Sequence, residues 1–257
     1  MSLIKTIGAF FILVLVMILH IPLGILVFIL SILGFKKPMS HLVYRIAQGV
    51  SRLMILLTGC PLTVLGREII PKTGGLCLVG NHGSIFDIVL LLAYAGRPVG
   101  FIAKKELAYV PFLNIWILLL GGLFIDRSSI RKSVATINTG VKRIKAGGAM
   151  SIFPEGHRSK GQGLLPFHAG SFKLATQALA PIVPVAIAGS YEVFEKEYRI
   201  RAFPVKVTFG KPIITADIPP ASRRQVLADM VRNVIAQELE AMETPLSNVS
   251  NHGSIQT

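Results

Sequence analysis

From residue 7 to residue 35 the chain carries no charged side chain (IGAFFILVLVMILHIPLGILVFILSILGF). A helix that crosses a bilayer needs about 20 apolar residues, so a stretch of this length commits the N-terminus to lipid or to burial around its whole circumference. A secretory leader has a shorter apolar core and a small-residue cleavage site, and no such site follows here. His20, Pro22 and Gly24 interrupt the middle of the run. Proline removes a backbone donor and pushes the residue before it toward extended geometry. Lys5 precedes the run, and Lys36 and Lys37 follow it. Basic residues prefer the cytoplasmic face of a membrane, and a hairpin puts both charged ends on one side. The pattern therefore favours a re-entrant or monotopic two-helix anchor over one kinked span, with His20 as a polar interruption at the bend.

The next stretch, residues 40–57 (SHLVYRIAQGVSRLMILL), mixes apolar side chains with Arg45 and Arg52 and reads as an amphipathic helix on lipid or against the anchor. No Asp or Glu occurs before Glu68, and the whole chain has 27 Lys plus Arg against 13 Asp plus Glu, a net charge of +14. Charged residues are only 16% and apolar ones 52%, with mean hydropathy +0.62. That excludes a disordered polyelectrolyte, and it is greasier than ordinary soluble domains, which carry about 25% charge. An anionic lipid surface suits this balance. Nucleic acid is the competing partner for the charge, but the anchor, the apolar body and the lack of aromatics among the basic residues count against it. Cys60 and Cys77 are too few for a disulfide framework and read as buried free thiols.

Beyond Gly66, short β-rich runs alternate with helical stretches. The runs are 76–80, 99–104, 123–126, 149–153, 182–189 and 205–210. The helical stretches are 84–95, 112–120, 129–146, 170–180 and 221–242. Alternation of this kind predicts an α/β fold with a largely parallel central sheet flanked by helices. The expected organisation is an N-terminal hydrophobic helical membrane anchor over 1–60, an α/β domain over 61–243 and a polar, disordered tail over 244–257.

Three strand ends carry chemistry. In Gly80-Asn81-His82-Gly83-Ser84-Ile85-Phe86-Asp87 a strand passes into a helix, and ligands of open α/β sheets bind at that end. Ser84 with Asp87 three residues on is a capping-box spacing, which explains the carboxylate structurally. The same carboxylate is also placed to reach back to His82 and hold one ring nitrogen, leaving the other as a base for a substrate hydroxyl. The second end is 121–127 (GGLFIDR), which closes on Asp126 and Arg127. The third is 153–159 (FPEGHRS), with Glu155, His157 and Arg158. Between residues 97 and 173 twelve basic residues face three acidic ones, and arginines at strand ends suit bidentate phosphate recognition. No phosphate-binding glycine loop, dinucleotide fingerprint or nucleophile elbow occurs. His82, His157 and His168 lack a metal-ligand pattern, and Cys77 reads as core.

Taken in order, Asn81-His82-x-x-x-x-Asp87, Phe124-Ile125-Asp126-Arg127, Phe153-Pro154-Glu155-Gly156-x-Arg158-Ser159 and Ile182-Val183-Pro184-Val185 resemble the four motifs of glycerolipid acyltransferases. The nearest likeness is to the 1-acyl-glycerol-3-phosphate acyltransferases. Lys104-Lys105-Glu106-Leu107 with Pro111-Phe112, and Phe167-x-x-Gly170-x-Phe172-Lys173, resemble them as well. The similarity spans roughly 76–210. It implies transfer of a fatty acyl group from acyl-CoA or acyl-acyl carrier protein to the sn-2 hydroxyl of lysophosphatidic acid, giving phosphatidic acid, with neither metal nor cofactor. By the resemblance His82 and Asp87 are catalytic. Arg127, Glu155, Gly156, Arg158 and Ser159 bind the acceptor with help from Lys104 and Lys105, and Pro184 belongs to an acyl-donor motif. The anchor with its flanking lysines and the single-module chain lead us to expect a bacterial inner-membrane enzyme with its catalytic domain on the cytoplasmic face. His157 stands where the family usually has threonine, and Gly83 where a larger residue is common.

Overall fold

Seven strands form a single sheet among residues 2–19, 21–34 and 36–243, the part of the chain described by a computed structural model. They are β1 (Leu62–Leu65), β2 (Leu76–Gly80), β3 (Val99–Lys104), β4 (Leu123–Ile125), β5 (Ala149–Ile152), β6 (Ile182–Ala188) and β7 (Val205–Phe209). Their order is β1-β7-β6-β2-β5-β3-β4. Every neighbouring pair is parallel except β6 with β7. The largely parallel sheet is thus as expected. Helical crossovers put β2 to β6 in one direction, so the carboxyl ends of five strands share one edge.

Strand pleating sends alternate side chains to opposite faces. Leu76 and Leu78 of β2, with Val183, Val185 and Ile187 of β6, build one core under α3 (Lys36–Thr58) and α4 (Phe86–Tyr94). Cys77, Val79, Ile182 and Ala186 point the other way, against α6 (Ile130–Lys145), α7 (Lys173–Ala178) and α9 (Arg223–Glu243). Both faces of β2 are fully buried, as covered parallel strands require. Leu90 and Leu91 of α4 are shut off from solvent, and each contributes about 1.5–3 kcal/mol by that burial.

The sequence pattern did not mark β1. It has only four residues, Leu62 and Val64 inward and Thr63 and Leu65 outward, and it pairs at the sheet edge with β7. Gly66 closes it with φ +71, where a Cβ would lie 2.1 Å from the carbonyl oxygen of Phe209. Only glycine fits there.

The uncharged N-terminal run divides into α1 (Ser2–Leu19) and α2 (Ile21–Ile32). Pro22 sits in the first turn of α2, where its missing donor is tolerated. His20 itself, like the polar tail from residue 244, lies outside the described residues. Both helices pack on α3, and α2 also meets α5 (Leu113–Leu119), with Gly24 facing Leu119. Ile7, Phe10, Phe11 and Leu19 of α1 and Leu26 of α2 are more than half exposed. Among the described residues no helix is long and apolar enough to cross a membrane. Cys77 is buried, and Cys60 is only half-buried.

Candidate active site

Beyond Gly80 the chain leaves β2 and turns into α4. Asn81 fixes the departure point: its side-chain amide donates to the Ile187 carbonyl at 2.8 Å and its Oδ1 accepts the Ile187 N–H at 2.8 Å. His82 follows, held on both sides by backbone contacts. Its N–H donates to Glu155 Oε1 at 2.7 Å, and its carbonyl accepts the Ser159 N–H at 2.7 Å. The imidazole stacks on Phe153, with ring centroids 4.0 Å apart and planes 12° from parallel.

Asp87, on the first turn of α4, is fully buried and places Oδ2 2.8 Å from His82 Nδ1. The same oxygen accepts the Ser84 N–H at 2.9 Å, while Ser84 Oγ accepts the Phe86 N–H at 3.0 Å. One carboxylate therefore serves both the capping and the orienting arrangement. An ionised carboxylate only accepts, so the contact assigns the ring proton to Nδ1 and leaves the Nε2 lone pair available. The imidazole keeps 15% of its surface exposed.

The other candidates gather on the same carboxyl edge. Arg127, after β4, donates to the carbonyl of Gly156. Gly156 follows β5 with φ +78, and a Cβ there would stand 3.4 Å from the His168 ring. Arg158 pairs with Glu195, keeping 39% of its side chain exposed. Ser159 is buried behind His82. Lys105 bonds Asp126 at 2.9 Å. Ser128 and Lys105 together hold the Asp126 carboxyl down to about 2. Lys104 closes β3 and is exposed.

Glu155 is turned inward, 1% exposed. Burial pushes its carboxyl up to about 7 against the lowering effect of the His82 N–H. Pro184 is buried in β6 opposite Val79, and the Gly210 N–H donates to its carbonyl. It shapes the strand and presents no polar group to the edge. Burial raises the Cys77 thiol to about 12, which makes it inert as a nucleophile. Among the described residues no group of three or more His, Cys, Asp or Glu is placed to hold a metal ion.

This constellation can be compared with known proteins. Residues 61–188 match the family model described as Acyltransferase. A 1-acyl-sn-glycerol-3-phosphate acyltransferase of Saccharomyces cerevisiae is 34% identical over 180 residues, 69% of this chain and 58% of the yeast protein. A probable 1-acyl-sn-glycerol-3-phosphate acyltransferase of Mycoplasma pneumoniae is 30% identical over 218 residues, 80% of this chain and 76% of its own. The chain belongs to the 1-acyl-sn-glycerol-3-phosphate acyltransferase family. The crystal structure of the 1-acyl-sn-glycerophosphate (LPA) acyltransferase from Thermotoga maritima has the same fold, with TM-score 0.78 and 25% identity over 95% of this chain and 98% of that one.

One residue of this acyltransferase's carboxyl edge escaped the sequence reading. Glu195 is 8% exposed, accepts from Arg158 on Oε1 and takes the Ile85 N–H on Oε2 at 3.0 Å. It lies among Glu192, Lys196 and Glu197, and nothing in that charged run marks which glutamate turns inward. The flanking two pair at i, i+4 spacing with Lys196 and Arg201, and Glu195 has Arg199 at the same spacing, so the pattern does not single it out.

Proposed function

We propose that this acyltransferase moves a fatty acyl group from a thioester donor, acyl-CoA or acyl-acyl carrier protein, to the sn-2 hydroxyl of 1-acyl-glycerol-3-phosphate. The observation that carries the reading is the 2.8 Å contact between His82 Nδ1 and Asp87 Oδ2, on the same carboxyl edge as Arg127 and Arg158.

The step balances with these groups alone. Nε2 of His82 takes the hydroxyl proton as the oxygen attacks the thioester carbonyl, and Asp87 stabilises the imidazolium. The tetrahedral intermediate then expels the thiolate, which recovers the proton from His82. The acceptor is itself the nucleophile, so no acyl-enzyme forms and neither metal nor cofactor enters. Arg127 and Arg158 take the phosphate, since guanidinium forks suit its oxygens. Gly156 shapes the turn that presents them, Lys104 and Lys105 add positive charge, and Glu155 and Ser159 hold His82 from behind.

In this reading the exposed apolar faces of α1 and α2 lie in the cytoplasmic leaflet of a bacterial inner membrane, among anionic lipids, from which the lysolipid enters. The pathway served is phospholipid synthesis.

Purified protein offered a panel of lysophosphatidic acid, a lyso-ornithine lipid and a lysophosphatidylcholine, with each donor in turn, tests the assignment. Turnover restricted to lysophosphatidic acid is the expected result. A preference for the phosphate-free acceptor would overturn it, with His157 as the residue to examine.

A further inference from the structure

We propose that Glu195 is a positioning residue that pre-sets Arg158 for the acceptor's phosphate; the inference rests on the acceptor reading above. Three observations support it. First, Glu195 is buried while its partner is not: 8% of the carboxylate side chain is exposed against 39% of the guanidinium. A buried charge is costly unless paired, so this carboxylate is committed to Arg158 and the outer edge of the arginine is left open. Arginine has five donors. One is held by Glu195, and the others remain for an incoming anion.

Second, the other oxygen of Glu195 takes the N–H of Ile85 at 3.0 Å, one residue before α4 begins. That helix carries Asp87, which holds His82. A single side chain therefore ties the phosphate-binding arginine to the element that aims the base. Arg158 comes from the turn after β5 and Ile85 from the turn after β2; the His82 and Ser159 backbone bonds already join these turns, and Glu195 adds the link that ends on the guanidinium itself.

Third, Glu195 is delivered by a dedicated turn. β6 ends at Ala188, Gly189 adopts φ +81, and the short helix α8 (Ser190–Val193) brings the chain back over the site. There Ser190 lies against Gly83, with Oγ 3.4 Å from where a Cβ would stand. A larger residue at 83, common in the family pattern, meets that hydroxyl at closer than comfortable range. The small residue and the inward glutamate thus belong to one packed contact between the two turns.

Ordering a long side chain in advance removes a cost that the substrate would otherwise meet on binding. Glu195→Gln keeps the shape and an acceptor for Ile85 but loses the charge that orients Arg158. It is expected to raise KM for lysophosphatidic acid about three- to tenfold with kcat within about twofold. In an Arg158→Ala background the same substitution is expected to leave KM unmoved. Glu195→Asp keeps the charge and protects folding, but one methylene less cannot span both partners, so its KM rise should be smaller and in the same direction.

A residue that merely supports the fold would lower Tm and leave the KM-against-kcat split alone. An unmoved KM in both variants, a fall in kcat alone, or an equal KM rise without Arg158 would each overturn the positioning role. Wild-type turnover of 1-acylglycerol equal to that of lysophosphatidic acid would instead overturn the acceptor reading, and this inference with it.

Discussion

Asp87 Oδ2 reaches back across a single turn to His82 Nδ1 at 2.8 Å, and the same oxygen caps the helix through the Ser84 N–H at 2.9 Å. Chemistry and folding therefore draw on one atom, and substitutions can separate them. His82→Ala removes the base and should lower kcat by about 10² to 10⁴, and it also costs some stability because the buried Asp87 carboxylate loses its partner. Asp87→Asn retains an oxygen for Ser84 but no longer stabilises the imidazolium, so kcat should fall with little change in stability. Asp87→Ala should lose both activity and about 0.5–2 kcal/mol of stability through the cap. Steady-state rates beside urea unfolding of the three variants check the split; equal stability of the two Asp87 variants would contradict it.

Glu155 introduces a pH dependence that does not involve the base. Burial pushes its carboxyl up to about 7 in the folded protein, above the ordinary value of about 4.5. Between those values the native state keeps a proton that the unfolded chain releases. Stability attributable to this group is thus present in full below about 4.5 and declines as pH rises toward about 7, levelling off above. Glu155→Gln cannot titrate, yet it still offers an oxygen to the His82 N–H. The variant should gain on the wild type across that window and hold its lead at pH 8. Parallel unfolding midpoints at pH 5, 6, 7 and 8 would contradict this origin.

The sequence yielded the residues of the site more readily than their surroundings. His82, Arg127, Glu155 and Arg158 sit just past strand ends because hydrophobic runs stop where charge begins, and that boundary is written locally. Six of the seven strands were legible for the same reason. β1 was not, because four half-buried residues leave too little periodicity. The antiparallel placement of β7 was hidden too, since a connection without a crossover helix carries no sign of its direction. Glu195 meets Arg158 across 37 residues, and composition cannot register a long-range pair. The inward turn of Glu155 was equally invisible, because a carboxylate in a turn ordinarily faces water.

The exposed faces of the first two helices should decide where the protein resides. Ile7 and Phe11 lie one turn apart on α1 and are 60% and 66% exposed. Replacing both with Asp removes apolar surface and adds charge where a leaflet would be, without touching the α/β core. Flotation with vesicles containing anionic lipid should fall sharply, while denaturant unfolding of the domain should not move. Undiminished flotation would place membrane contact elsewhere.

Lys105 and Asp126 pair at 2.9 Å with the lysine side chain 41% exposed. Solvent and salt screen an exposed ion pair, so Lys105→Ala should scarcely alter unfolding. Any effect on KM for lysophosphatidic acid then reports directly on charge near the acceptor, and the expected direction is upward. If KM instead stays constant, Lys105 serves only to hold Asp126.

Gly156 joins the two halves of the acceptor site. Its φ of +78 is disfavoured for any side chain, and a Cβ there would stand 3.4 Å from His168 and 3.8 Å from the guanidinium of Arg127. Its carbonyl is also the acceptor that holds Arg127. Gly156→Ala should therefore cost about 1 kcal/mol or more through the strained backbone. Relief of that strain rotates the peptide and carries the carbonyl away from Arg127. KM for lysophosphatidic acid should rise and kcat should stay nearly constant, because His82 is fixed from Glu155 and Ser159 rather than from residue 156. Measuring both constants beside unfolding separates the two consequences. A large fall in kcat would mean that the turn also governs the base, and the division of labour along this edge would have to be redrawn.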